Sequence, residues 1–227
     1  MRVKKSAHIE NLRDLHHFDC LQVFQTGLSS VDAVPMDLSG VEQCPNLYRL
    51  ILTGSKPITL EPLSRMTWLE DLGLHSCGLV DLTPLEGLPV LQCLSLSACE
   101  MDSLEVLTTL PSLSKLRLDN DAVYPSLEPL TRTTVAYLQM GLSKDGRGQC
   151  DYLDYESLAR IPNLTWLDIM NHTAFDPEDC TALLEGRSTL KYLNIWYTGA
   201  AEAIADGDYE PDTSRLEAFT TKPYANF

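Results

Sequence analysis

The sequence predicts an α/β fold: a curved solenoid of about eight stacked units, with short parallel strands on the concave face and turns and short helices on the convex face. Three observations predict it. The pattern Leu-x-x-Leu-x-Leu recurs at Leu47, Leu50 and Leu52, at Leu69, Leu72 and Leu74, at Leu91, Leu94 and Leu96, and at Leu113, Leu116 and Leu118, with 22 residues from each copy to the next. A fixed period of this length marks a repeat architecture, in which each unit buries its apolar face only by stacking on its neighbours. Within each copy the closing Leu-x-Leu alternates with the period of a strand, leucines inward and x residues outward. After each strand comes a Pro-bearing stretch with apolar residues three apart, such as Leu82, Leu85 and Leu88, which is the spacing of 3₁₀ turns rather than of a long α-helix.

Taken in chain order, residues 1–17 are expected to cap the first unit through Ile9, Leu12 and Leu15. The solenoid is expected over 18–198. Its first unit is placed at Phe18, Leu21 and Val23, followed by the four regular copies. Degenerate copies then follow at Val135, Leu138 and Met140, at Leu164, Leu167 and Ile169, and at Leu190, Leu193 and Ile195. The lengthened sixth unit carries an insertion near 143–157, rich in Gly, acids and Tyr, which suits a contact loop. Residues 199–227 are expected to form a C-terminal cap and tail, beginning with a short helix over 199–205. A cap is needed because the outer face of a terminal repeat has no neighbour to bury it.

Three residues past the third apolar position stand Thr26, Ser55, Cys77, Cys99, Asp121, Ser143, His172 and Thr198. The units resemble leucine-rich repeats, which use Asn or Cys in this column to hydrogen-bond the turn backbone; the resemblance implies that Cys77 and Cys99 hold backbone hydrogen bonds rather than a disulfide.

Together these features resemble the leucine-rich repeat superfamily, most closely the 22-residue type of bacterial internalins and of phosphatase regulators, over roughly residues 12–198. The resemblance implies a leucine-rich repeat solenoid whose concave face is a recognition surface for another protein.

Composition bounds the function. The chain has 227 residues, 44% hydrophobic and 22% charged, with 17 Lys and Arg against 32 Asp and Glu, a formal net charge of −15. Such a chain lacks the basic footprint that nucleic acid or an anionic membrane requires, and it favours a partner with a basic surface. No apolar run approaches the roughly 18 residues of a spanning helix. The start has charges but no apolar stretch behind them, so no secretory leader is expected. Seven cysteines without a C-x-x-C pair point to a reduced, cytoplasmic setting. The chain alone is expected to be a monomer.

Phosphate-binding glycine loops, the H-E-x-x-H zinc motif and the G-x-S-x-G nucleophile elbow are all missing. The alternating acids Asp206, Asp208, Glu210 and Asp212 lack the closing Glu of a calcium loop. No catalytic residue, metal site or cofactor is expected, and the chain is not expected to be an enzyme.

The outward strand positions form three columns. The first runs Cys20, Arg49, Asp71, Cys93, Lys115, Tyr137, Trp166, Tyr192; the second Gln22, Ile51, Gly73, Ser95, Arg117, Gln139, Asp168, Asn194; the third Phe24, Thr53, His75, Ser97, Asp119, Gly141, Met170, Trp196. The middle units offer small residues, while the last three gather aromatics. Trp and Tyr anchor protein interfaces because they bury much area with few torsions to freeze. The expected partner-binding residues are Tyr137, Trp166, Asp168, Met170, Tyr192 and Trp196, with Asp151 and Asp154 on the insertion. The leading expectation is a protein–protein interaction module, and more finely an acidic stoichiometric inhibitor or immunity protein that binds a basic protein. The alternatives are a regulatory or targeting subunit, or a secreted internalin-like effector.

Overall fold

The computed structural model of the chain describes residues 12–18, 20–27, 34–119, 122–141, 155–186 and 189–222. Eleven strands follow in order: β1 (Val23–Gln25), β2 (Val34–Met36), β3 (Arg49–Thr53), β4 (Ser55–Pro57), β5 (Asp71–Leu79), β6 (Cys93–Glu100), β7 (Lys115–Asp119), β8 (Tyr137–Gly141), β9 (Trp166–Met170), β10 (Tyr192–Trp196) and β11 (Ala218–Thr220). Nine of them form one open parallel sheet in the order β1-β3-β5-β6-β7-β8-β9-β10-β11, and β2 pairs with β4 beside it. The sheet runs in chain order because each turn of the chain, 22 residues long from Leu50 to Leu72 and 29 from Leu138 to Leu167, returns it one strand further along.

The register is the leucine register. Leu50 pairs with Leu72, Leu72 with Leu94, Leu94 with Leu116, Leu116 with Leu138, Leu138 with Leu167, and Leu167 with Leu193. All seven leucines are 2% exposed or less. A one-residue slip would turn the whole ladder to solvent, so burial pins the pairing. The convex side follows unit length. The shorter units return through 3₁₀ segments such as Glu61–Arg65, Thr83–Leu85, Glu105–Thr109 and Glu128–Arg132, each burying one leucine, Leu63, Leu85, Leu107 and Leu130. The longer units afford α-helices instead: α1 (Tyr155–Arg160), α2 (Pro177–Glu185) and α3 (Gly199–Asp206). Helix α2 opens on a capping box, with the Asp176 carboxylate accepting from the amides of Glu178 and Asp179.

Five of the repeats turn a corner among the described residues, two of them within the long strands β5 and β6. Gly54, Ser76, Ala98, Asn171 and Tyr197 occupy the same place, and each has a positive φ, between 50° and 66°. The next residue plunges inward and satisfies the turn. Cys99 Sγ donates to the Leu74 carbonyl at 3.2 Å, Cys77 Sγ to the His75 carbonyl at 3.5 Å, and Thr198 Oγ1 to the Ile195 carbonyl at 3.0 Å. The two thiols hold backbone hydrogen bonds, as their column predicts. His172 is buried in the same column, with Tyr155 Oη 3.3 Å from its Nδ1.

Two features depart from the sequence-based expectation. The first unit sits three residues later than placed: β1 pairs Phe24 with Leu50, Phe24 is fully buried, and Phe18 is 51% exposed. The inward set is therefore Leu21, Phe24 and Thr26, and the outward positions are Val23 and Gln25 rather than Cys20, Gln22 and Phe24. Thr26 stands opposite Leu52 instead of in the turn column, and its hydroxyl meets the Thr53 amide at 2.8 Å. The degenerate unit offered two triplets, Phe18, Leu21 and Val23 or Leu21, Phe24 and Thr26, and pairing with β3 buried Phe24 rather than Phe18. The second departure is a ninth strand. Residues 218–220 continue the sheet, pairing Leu193 with Phe219, with Leu216 half-buried ahead of them.

Candidate interaction surface

The outward side chains of β7 to β10 stand in register, because parallel strands place equivalent residues one strand step apart. Tyr137, Trp166 and Tyr192 are directly paired neighbours. Their rings form a ladder: Tyr137 lies 5.8 Å from Trp166 in a tilted contact, and Trp166 stacks on Tyr192 at 4.6 Å with planes 26° apart. The Arg117 guanidinium lies 6.0 Å from the Tyr137 ring centre and closes the ladder at one end. Beside it, Met170 pairs with Trp196 across β9 and β10. Five of the eight predicted contact residues, Tyr137, Trp166, Met170, Tyr192 and Trp196, are half-buried on this face. The C-terminal strand does not fold back over them: β11 extends the sheet edge, and Glu217, just before it, accepts from the Tyr192 hydroxyl and from Lys191 at 2.7 Å.

Asp168 stands in its predicted column but is fully buried, so it is a support of this surface and not part of its exposed skin. The Tyr137 hydroxyl lies 2.9 Å from Asp168 Oδ2 and 3.0 Å from Gln139 Oε1, and Gln139 Nε2 donates to Asp119 Oδ2 at 3.1 Å. This polar chain runs beneath the rings and fixes the tilt of Tyr137. Burial pushes the Asp119 carboxyl up to about 6, against the opposing pull of Arg117 and the Gln139 hydrogen bond. Among the described residues, Asp119 Oδ1 and both amide atoms of Asn194 are buried without a hydrogen-bond partner. Asp151 and Asp154 lie outside the described residues.

Two contributions were missed from sequence. Tyr197 holds the left-handed corner position at φ 52°, is 52% exposed and packs on Trp196 at 4.7 Å. A bulky residue at such a φ is strained; the signal was an aromatic in the column that holds Gly54, Ser76, Ala98 and Asn171 elsewhere among the described residues. The second is the middle of the concave face. Instead of a bland stretch of small residues it is a hollow of about 320 Å³ bordered by Arg49, Lys115 and Arg117. The signal was the cation excess in the first two columns of the second to fifth units, where Arg49, Lys115 and Arg117 stand against Asp71 alone in a chain of net negative charge. The convex 3₁₀ segments, in contrast, carry Glu42, Glu61, Glu105 and Glu128 in their first turns.

Among the described residues no cluster of three or more His, Cys, Asp or Glu could hold a metal ion, and no helix is long and apolar enough to cross a membrane. Burial raises the thiols of Cys44, Cys93 and Cys180 above the ordinary value, which makes them poor nucleophiles.

No family model matches the chain, and no curated protein matches it. Solved structures do. An internalin (inlF) of Listeria monocytogenes is similar over 86% of this chain at 19% identity with a TM-score of 0.56, and this chain spans 51% of that one, about half its length. Internalin C2 of the same organism is similar over 85% of this chain and 79% of its own, at 18% identity and a TM-score of 0.56. At these identities the likeness is one of fold, and it accords with this chain's own parallel sheet in chain order and its leucine ladder. The chain thus has the leucine-rich repeat fold, as an open, curved solenoid.

Proposed function

We propose that the chain is a protein-binding module that anchors its partner on the concave aromatic surface of its last units. The observation that carries this reading is the Tyr137–Trp166–Tyr192 ladder, with Trp196 and Met170 beside it, left half-exposed on a rigid sheet. Rings already stacked on one another lose little freedom on binding, and a concentrated aromatic patch on a soluble surface fits an interface. The fold itself fixes no function, but it presents a long concave surface of this kind. Binding rather than catalysis is favoured because Trp166, Trp196 and Met170, at the centre of this patch, carry no group that can act as a nucleophile or general base.

The finer reading is a stoichiometric inhibitor or immunity protein for a basic protein. It is supported by the net charge of −15, which would steer a cationic partner and raise its association rate at low salt. The convex glutamates would supply that long-range field, while the rings would supply the short-range energy.

The test is an affinity series against a partner recovered from the source cells with the tagged chain. Trp166→Ala and Trp196→Ala should each weaken binding about thirtyfold, the effect of losing an anchor worth about 2 kcal/mol, while Ser97→Ala should leave it within twofold. If both tryptophan variants fold and bind like the parent, the concave C-terminal surface is not the interface.

A further inference from the structure

The concave face is not uniform in charge, and its middle carries a second site. The hollow between β3 and β7 is floored by Gly73 and Ser95, with His75 leaning across: its Nε2 lies 3.2 Å from Ser95 Oγ. Gly73 makes the depth. A Cβ there would come within 3.2 Å of His75 Nε2 and 3.3 Å of Ile51 Cγ2, so any side chain would fill the floor. On the rim, Arg49 Nε donates to Asp71 Oδ2 at 2.7 Å, and among the described residues no other bond engages its two terminal nitrogens. Opposite stand Lys115 and Arg117, both exposed and neither in an ion pair among the described residues. Three cations thus face one carboxylate, in a chain whose overall charge is strongly negative.

We propose that this hollow receives an acidic side chain of the bound protein, the carboxylate of a Glu or Asp held between Lys115 and Arg117 on one wall and the free edge of the Arg49 guanidinium on the other. The inference rests on the protein-binding reading and adds the chemistry of one contact to it. A guanidinium whose Nε is already engaged still offers its terminal N–H groups to a second carboxylate. A small free phosphate fits less well. The strands around the hollow are paired on both sides, so their backbone N–H groups are committed to the ladder and cannot form an anion cradle. A polyphosphate chain such as nucleic acid would meet the repulsion of the whole acidic molecule, which a single carboxylate on a mixed surface avoids. Arg117 also touches the aromatic ladder through Tyr137, so one partner segment can reach both sites.

The test uses ¹⁵N-labelled full chain at low ionic strength and hexaglutamate, hexalysine and inorganic phosphate as probes. Hexaglutamate should shift the amides of Gly73, Ser95 and Lys115 saturably. Lys115→Gln together with Arg117→Gln should weaken that binding at least tenfold, Lys115→Arg should retain it, and Arg132→Gln, which removes an exposed cation on the convex side, should leave it unchanged. The proposal is overturned if hexaglutamate leaves these amides in place, if its binding survives in the double Gln variant with a native spectrum, if phosphate saturates the same amides as tightly, or if hexalysine moves them instead. The aromatic reading fails separately, through Trp166→Ala and Trp196→Ala with the recovered partner. If that partner is weakened by the tryptophan variants but unaffected by Lys115→Gln with Arg117→Gln, the hollow is refuted and the module stands.

Discussion

Two buried groups give the stability of this protein opposing dependences on pH, and removing either should unmask the other. Asp119 is raised from 3.8 to about 6 by burial. The unfolded chain therefore gives up this proton first as pH rises, and ionising the carboxyl in the fold costs stability. The penalty grows from pH 4 to 6 and at pH 7.5 reaches about 3 kcal/mol, two pH units at 1.36 kcal/mol each. His172 is lowered from 6.5 to about 4 by burial. Here the unfolded chain takes up the proton first as pH falls, so stability is intact above pH 6.5 and is lost on acidification, again by about 3 kcal/mol in full. Between pH 7.5 and 5.3, a window above the isoelectric point of about 4.6, Asp119 should return about 1 kcal/mol while His172 withdraws about 1–2 kcal/mol. The parent should look nearly flat over this window with respect to these two groups. Asp119→Asn, which keeps an acceptor for Gln139, should be more stable than the parent at pH 7.5 and lose about 1–2 kcal/mol on going to pH 5.3. His172→Asn, a residue of the size its column favours, should gain about 1 kcal/mol over the same range, whatever constant packing cost it carries. Urea unfolding at four pH values between 5.3 and 7.5 reads both slopes. If the two variants keep the parent profile, or shift it in the same direction, the burial assigned to these groups does not govern their titration.

The remaining predictions concern the scaffold. Leu94→Ala, in the middle of the ladder at 1% exposure, should cost about 3–5 kcal/mol, because both neighbouring strands limit how far the cavity can close; Val123→Ala at 43% exposure should cost under about 0.5 kcal/mol, and equal losses in urea would contradict the ladder. Ser76→Gly and Ala98→Gly, at φ 55° and 50°, should each stabilise by about 0.5–1 kcal/mol, reversing the usual penalty of glycine in regular structure. A thermal melt that moves downward for both would refute the left-handed corner.

What the sequence determined by itself is the repeat. A side-chain pattern with a fixed period is a local property, and a strand of three inward residues has one way to bury them, so Leu50, Leu72, Leu94 and Leu116 announce their own pairing. The concave columns from the second unit onward were legible for the same reason, and with them the aromatic neighbours Tyr137, Trp166 and Tyr192. Unit length likewise separated the 3₁₀ returns from the longer units that hold α1 and α2. Where the pattern weakens, its legibility ends. At the first unit Phe18, Leu21 and Val23 compete with Leu21, Phe24 and Thr26, and only packing against β3 decides which aromatic is buried. The ninth strand has two weak apolar positions, Leu216 and Phe219, and becomes a strand because β10 offers it an open edge. Burial on the concave face is also a tertiary matter: Asp168 occupies an outward position in the sequence pattern, yet neighbouring rings and the Tyr137 hydroxyl enclose it. The cationic hollow depends on Arg49, Lys115 and Arg117, which are 66 and 68 residues apart from end to end in the chain but only a few strand steps apart in the sheet. Periodicity is written residue by residue, whereas exposure and charge depend on what the fold brings alongside.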